Sequence, residues 1–167
     1  MWGAHELIRL AEMSDIPSIQ MVARVAWEHT YREIMQPRTR SMFLDEFYNY
    51  EALSKALTVR PGGVWVVAEQ AMLLGFIQVV PMLDGNGLEI ARLYVLPNYQ
   101  RQGLGKLLLS AAMEKHPKAK WWALVERDDD KAVQFYRQQG FRKQRDLTLN
   151  LFGEELGFVE YSLNCEQ

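Results

Sequence analysis

The sequence predicts an α/β domain built on a mixed sheet. Strand-length apolar runs, several rich in Val and Ile, alternate with longer segments of helical periodicity, and Gly, Pro and Asn-Gly punctuation separates them. Read along the chain, the order is β-α-α-β-β-β-α-β-α-β-β. A length of 167 residues suffices for one domain, residues 1–167, with a sizeable core. No repeat, linker or low-complexity segment divides it.

His5 to Met13, carrying Leu7, Ile8 and Leu10, reads as the first strand. Ser14 and Asp15 are N-cap residues with Pro17 in the first turn, and Ile19, Val22, Ala23, Ala26 and Thr30 mark one face of a helix over Asp15 to Tyr31. The segment EIMQPR breaks it. A second helix is expected from about Ser41 to Thr58 on the series Phe43, Phe47, Tyr50, Leu53 and Leu57. After the turn Pro61-Gly62-Gly63, Val64 to Ala68 and Met72 to Met82 are strands, and a Leu-Asp-Gly-Asn-Gly loop follows. Leu88 to Leu96 is the fourth strand. The helix that begins at Leu104 ends near His116-Pro117. Lys120 to Glu126 (KWWALVE) is a strand too apolar for an exposed edge. Asp129 or Asp130 caps a helix faced by Ala132, Phe135 and Tyr136, and Gly140 ends it. Arg142 to Leu151 and Gly157 to Leu163 close the chain as a strand pair around the turn GEEL.

Composition narrows the function. An apolar share of 49% with 24% charged residues is that of an ordinary soluble globular domain, and a net charge of -2 argues against a general nucleic-acid binder. The one cysteine, Cys165, permits neither a disulfide nor a cysteine-based metal site within the chain. His5, His29 and His116 share no ligand spacing, so no metal is expected. No apolar run approaches the roughly 18 residues of a membrane span, and MWGAHELIRLAEM lacks the build of a signal peptide. A cytoplasmic protein is the expectation.

The informative stretch is LEIARLYVLPNYQRQGLGKLLL, Leu88 to Leu109. A strand leads into a loop with Gly103 and Gly105, and Leu104, Leu107, Leu108, Ala111 and Ala112 then lie on one helical face. Glycines let backbone N–H groups approach a ligand, and the first N–H groups of a helix have no internal partner and carry positive potential. Strand, loop and helix N-terminus thus form an anion site, most often for phosphate or pyrophosphate. The Walker pattern fails because Leu107 follows Lys106, and the Rossmann pattern fails because position 108 is Leu.

What fits is Q-x-x-G-x-G, spelled Gln100-Arg101-Gln102-Gly103-Leu104-Gly105. It resembles the acetyl-CoA signature of the GCN5-related N-acetyltransferases. Asp129 to Phe141, DDKAVQFYRQQGF, resembles that family's second signature: Ala132, Phe135, Tyr136, Gly140 and Phe141 match, whereas Asp129 stands where Asn is usual. The resemblance runs end to end and implies the family fold, a mixed and mostly antiparallel sheet flanked by helices. It implies acetyl-CoA as co-substrate, held by Gln100 to Lys106, by the backbone of Leu93, Tyr94 and Val95, and by Asp129, Phe135 and Tyr136. Asp129 has no amide N–H to offer the pantetheine arm. Taken alone, the Phe-Tyr pair is ordinary core; the resemblance implies that Tyr136 protonates the leaving thiolate. A thiol of pKa about 8.5 leaves poorly as a bare thiolate from a desolvated site.

Acetyl transfer also needs a neutral amine, since alkylamines with pKa about 10.4 are protonated at neutral pH. Glu89 lies eleven residues before Gln100, where several family members place a base carboxylate; it serves as base or as substrate anchor, or else is an exposed strand residue or a partner for Arg92. The resemblance assigns the oxyanion to a backbone N–H near Leu93 to Val95, where the strand is expected to bulge. Direct attack in a ternary complex follows, because Cys165 lies outside both signatures. Trp27, His29, Tyr31, Glu33, Asp45, Glu46, Tyr48, Tyr50 and Glu51 offer aromatic rings and carboxylates for a cationic acceptor. The runs WEHTYREIM and LNLFGEELGFVEYSL are similar to the PaiA-type spermine/spermidine acetyltransferases, which implies a polyamine or similar primary amine. A homodimer is an expectation by resemblance. A protein or peptide acetyltransferase and a non-catalytic acetyl-CoA-binding regulator stay open as alternatives.

Overall fold

In the computed structural model, residues 7–164 are described. A short strand β1 (Ile8–Leu10) is followed by three helices, α1 (Ile16–Tyr31), α2 (Pro37–Phe47) and α3 (Tyr50–Thr58). Then come β2 (Gly63–Glu69), β3 (Met72–Pro81), β4 (Leu88–Val95), α4 (Leu104–Glu114), β5 (Lys120–Glu126), α5 (Asp130–Gln138), β6 (Arg142–Leu151) and β7 (Glu154–Asn164). The strands form one sheet in the order β1-β2-β3-β4-β5-β7-β6. Every neighbouring pair is antiparallel except β4 with β5.

The apolar alternation of the strands fills two layers. One holds Trp65, Ile77, Ile90, Trp121, Val125 and Tyr161 under the apolar faces of α4 and α5. The other holds Val66, Phe76, Leu156 and Phe158 under α1 to α3, with Trp27, Tyr31 and Tyr48. β5 is buried between β4 and β7, as an apolar KWWALVE requires.

Three expectations are corrected. The second helix is two. Pro37 opens α2 as its first residue, inside the segment read as a break, because proline there loses no hydrogen bond that the helix needs. The chain then turns at Tyr48-Asn49. Asn49 accepts from the Ala52 N–H at 2.8 Å as the N-cap of α3, while its amide donates to Asp45 and Glu46 carbonyls of α2. At the C-terminus the hairpin turns at Phe152-Gly153, both at positive φ, so β7 starts at Glu154 rather than Gly157. The first strand covers only Ile8–Leu10, and its expected start at His5 lies outside the described residues.

Two joints hold this frame. Arg9 makes a paired contact with Asp15 at 2.7 and 2.9 Å, and Asp15 also accepts from the Glu12 N–H. These bonds hold the Asp15 carboxyl below its usual range. Arg40, buried on α2, donates to the carbonyls of Tyr31, Arg32 and Met35 at the end of α1 and in the turn after it. Replacing Asn49 with Ala removes the cap between α2 and α3. Urea denaturation should then show a loss of about 1 kcal/mol with an unchanged m-value.

Candidate active site

The site arises where β4 and β5 separate. They pair in parallel only at Leu88, Glu89 and Ile90 against Trp121, Trp122 and Ala123. Beyond that, Ala91–Val95 and Leu124–Glu126 diverge, and the facing backbone groups of the two strands have no strand partner. The cause is on the other edge of β4. Gln78 opposes Arg92 and Val79 opposes Ile90, so Ala91 is an extra residue, a β-bulge that bends the strand away. The bulge was expected at Leu93 to Val95 and lies instead at Ala91. Pairing with β3 sets it, and no residue type on β4 signals it.

On the α4 side of the fork stands the glycine loop. Gly103 is the N-cap of α4 at φ +84, a left-handed conformation that disfavours a side chain, and a Cβ there would meet nothing within 4 Å. The space above it is open to a ligand, and α4 is long enough for its first-turn N–H groups and dipole to attract an anion. The loop's side chains divide. Arg101, Gln102 and Lys106 are exposed; Leu104 is core, so only its backbone faces the loop. Gln100 is committed to structure, its amide donating to the Val95 carbonyl at 3.1 Å. Gly105 brings α4 against α5: a Cβ there would sit 3.4 Å from the Phe135 ring.

α5 supplies the second group. Asp129 caps it, accepting from the Ala132 N–H at 3.2 Å. Its carboxyl is raised, mainly by burial. Tyr136 is buried, edge-on to Phe135 and Phe141, each at 5.2 Å. Burial, reinforced by Asp129, raises its hydroxyl well above the ordinary phenol, so it stays a proton donor at neutral pH.

The opposite, α1 face of the fork is aromatic and acidic. The Tyr31 and Tyr94 hydroxyls hydrogen-bond at 2.9 Å beside Trp27. Trp27 itself is core, stacked on Phe43 at 4.5 Å with its indole N–H unpartnered among the described residues. Glu89 is half-buried, its carboxyl raised by burial and by Glu160. No ion pair joins Glu89 to Arg92 among the described residues; the Arg92 guanidinium lies 4.2 Å from the Tyr48 ring centroid. Of the acids named from the helices, Glu33, Asp45, Glu46 and Glu51 are exposed, and His29 is a surface residue of α1. The carboxylates at the fork come from strands instead.

Sequence reading missed Glu126, the last residue of β5. It is 6% exposed, and Oε2 has no hydrogen-bond partner among the described residues. Burial, with Asp129, Glu154 and Asp128 nearby, pushes its carboxyl up to about 8. A charge ending an otherwise apolar strand was the available signal. Over this face, the Gln36 N–H donates to Glu154, and Arg38 donates to the Phe152 carbonyl, so the α1–α2 connection meets the β6–β7 hairpin. A groove of about 690 Å³ between α1, α2 and α3 touches Trp27 and Tyr48 but none of the residues on the two arms of the fork. No group of three His, Cys, Asp or Glu residues able to hold a metal occurs among the described residues. No described helix is long and apolar enough to cross a membrane.

An open strand fork thus lies beside a glycine loop at a helix N-terminus, with a buried tyrosine on one side and carboxylates on the other. The chain belongs to the acetyltransferase (GNAT) family, whose model matches residues 25–141, and the protein is an acetyl-CoA-dependent N-acetyltransferase. Similar proteins include the spermidine N(1)-acetyltransferase of Thermoplasma acidophilum, 28% identical over 142 residues, 81% of this chain and 87% of that one. The peptidyl-lysine N-acetyltransferase YiaC of Escherichia coli is 26% identical over 137 residues, 81% of this chain and 82% of its own. The PaiA N-acetyltransferase of T. acidophilum, solved with coenzyme A, superposes with a TM-score of 0.77 at 24% identity, covering 93% of this chain and 98% of that chain. The fork and the open space over Gly103 fit the coenzyme.

Two outcomes follow. A Cβ at Gly103 meets no atom within 4 Å, but Gly103→Val strains the loop at φ +84, so calorimetry should show acetyl-CoA affinity falling at least about tenfold, with the melting temperature lowered by a few degrees. The Glu126 carboxyl is raised in the folded state relative to the unfolded chain, so the folded protein binds the extra proton between about pH 4.5 and 8. Stability from this group is therefore largest at low pH and falls as pH rises through that window. Glu126→Gln should flatten that decline in chemical denaturation between pH 5 and 9 and leave the variant more stable than wild type at the alkaline end, by a few kcal/mol.

Proposed function

We propose that the protein moves an acetyl group from acetyl-CoA to a primary amine of a small cationic molecule, a polyamine in the first instance, by direct attack in a ternary complex. One observation carries the reading: the open fork has carboxylates on the α1 face, Glu89, Glu126, Glu154 and Glu160, set among aromatic rings. A multiply charged amine matches that field. Glu160 is partly neutralised by Arg145 at 3.1 Å and Glu154 accepts from Gln36, which leaves Glu89 and Glu126 for the acceptor. The name of the Thermoplasma relative points the same way.

In this reading the first-turn N–H groups at Gly103 to Lys106, with Arg101 and Gln102 beside them, hold the phosphates. The diverging backbone of Leu93 to Val95 hydrogen-bonds the pantetheine amides and supplies an N–H to the developing oxyanion. Phe135 walls the thioester, Asp129 holds the start of α5, and Tyr136 gives its proton to the sulfur as the C–S bond breaks. Glu89 draws the ammonium in, and Tyr31 with Trp27 forms the wall opposite. The name of the YiaC relative favours a lysine side chain of a peptide as second reading. The contact between the α1–α2 connection and the β6–β7 hairpin narrows that approach and favours the smaller acceptor.

Tyr136→Phe should lower turnover by about 10²- to 10⁴-fold with acetyl-CoA affinity unchanged. Free-thiol release from acetyl-CoA across spermine, spermidine, amino acids and a lysine peptide tests the acceptor. Selective release with a polyamine supports the proposal; selective release with the peptide replaces it.

A further inference from the structure

Glu126 lacks the ordinary reasons for a buried carboxylate. It caps no helix, since that role belongs to Asp129. Its neighbour Arg127 pairs with Asp146 at 3.7 Å, and no cation pairs with Glu126 among the described residues. Nothing among the described residues compensates the desolvation of Oε2, and an unpaired buried acid beside a cleft is a candidate functional group.

Its placement says what the group does. Glu126 opposes Phe158 on β7 and shares the α1 face with Tyr31 and Tyr94. It stands at the open end of the fork. Glu89 sits opposite Trp122, where β4 and β5 are still paired. The groups that face Glu126 are Asp128 and Asp129 from the turn into α5, Glu154 from β7, Tyr31 from α1 and Tyr94 from β4. All are acidic or neutral, so they favour a proton or an ammonium at this point. Asp129 raises the proton affinity of both Glu126 and the Tyr136 hydroxyl, while Tyr136 packs in the layer under α4 and α5 and Glu126 lies on the α1 face.

From this arrangement we infer that Glu126 is the proton acceptor of the transfer, taking one proton from the bound ammonium as its nitrogen becomes the nucleophile. The inference rests on the acetyl-transfer reading above. The freed nitrogen lone pair forms the C–N bond at the thioester carbon. The C–S bond breaks with its electron pair on sulfur, which takes the Tyr136 proton. The surplus proton on the new amide nitrogen restores Tyr136, and Glu126 releases its proton to water, so one proton leaves per turnover. A carboxyl that ionises near pH 8 is matched to this task. Glu89, in the closed part of the fork, then anchors the acceptor.

The test compares wild type, Glu126→Gln and Glu89→Gln in thiol release from acetyl-CoA with spermidine and with the other amines of the panel. Glu126→Gln should lower kcat by about 10²- to 10⁴-fold at unchanged acetyl-CoA affinity and erase the acid limb expected of wild type near pH 8. Glu89→Gln should keep that limb and raise the KM for amine. In parallel, the carbon-13 carboxyl resonance that is missing in Glu126→Gln should titrate near pH 8 in wild type. Retention of kcat and of the limb in Glu126→Gln, or a midpoint in the ordinary carboxylate range, overturns the assignment while acetyl transfer stands. A wild-type protein that binds acetyl-CoA but releases thiol with no amine overturns both.

Discussion

The one constraint behind this site is the extra residue at Ala91. Because Val79 faces Ile90 and Gln78 faces Arg92, β4 cannot stay parallel to β5 past Ile90. The separation leaves two rows of backbone donors and acceptors that the sheet does not satisfy, in the middle of an otherwise continuous seven-stranded sheet. Such groups are costly unless a ligand or water meets them. In the proposed function, a coenzyme arm rich in amides meets them as an added strand would.

The fork also sorts the chemistry by face. α4 and α5 lie on one side and bring a helix N-terminus and Tyr136; α1 to α3 lie on the other with Tyr31, Tyr94 and the strand carboxylates. In the proposed reading, the anion and acceptor sites therefore lie on opposite faces of the sheet. The tyrosine and Glu126 owe their raised proton affinities to the same cause, burial, with Asp129 adding to each. At Tyr136 this keeps a donor protonated; at Glu126 it lifts an acid into the range of a base that works near neutral pH.

Much of this was legible in the chain. KWWALVE predicted β5 to the residue, and the Gly103–Gly105 loop followed by a Leu-rich face predicted α4. What stayed hidden has physical reasons. The apolar series through Phe47 and Tyr50 keeps helical phase across Asn49, so the break between α2 and α3 shows only in the cap. The turn at Phe152 uses a left-handed phenylalanine, which no turn preference flags. The bulge depends on β3, and the role of Glu126 depends on the bulge, on strand parity and on β7. None of these is local. The helix acids were named from composition, and the strand acids took their place because alternate β-residues on three strands converge on one face.

The most direct measurement is amide hydrogen exchange with and without coenzyme A, resolved to the residues of β4 and β5. Added protection confined to Ala91–Val95, Leu124–Glu126 and the first turn of α4 is the predicted result. Unchanged exchange at the diverging strands, with protection appearing instead at the α1–α2–α3 groove, would contradict the account.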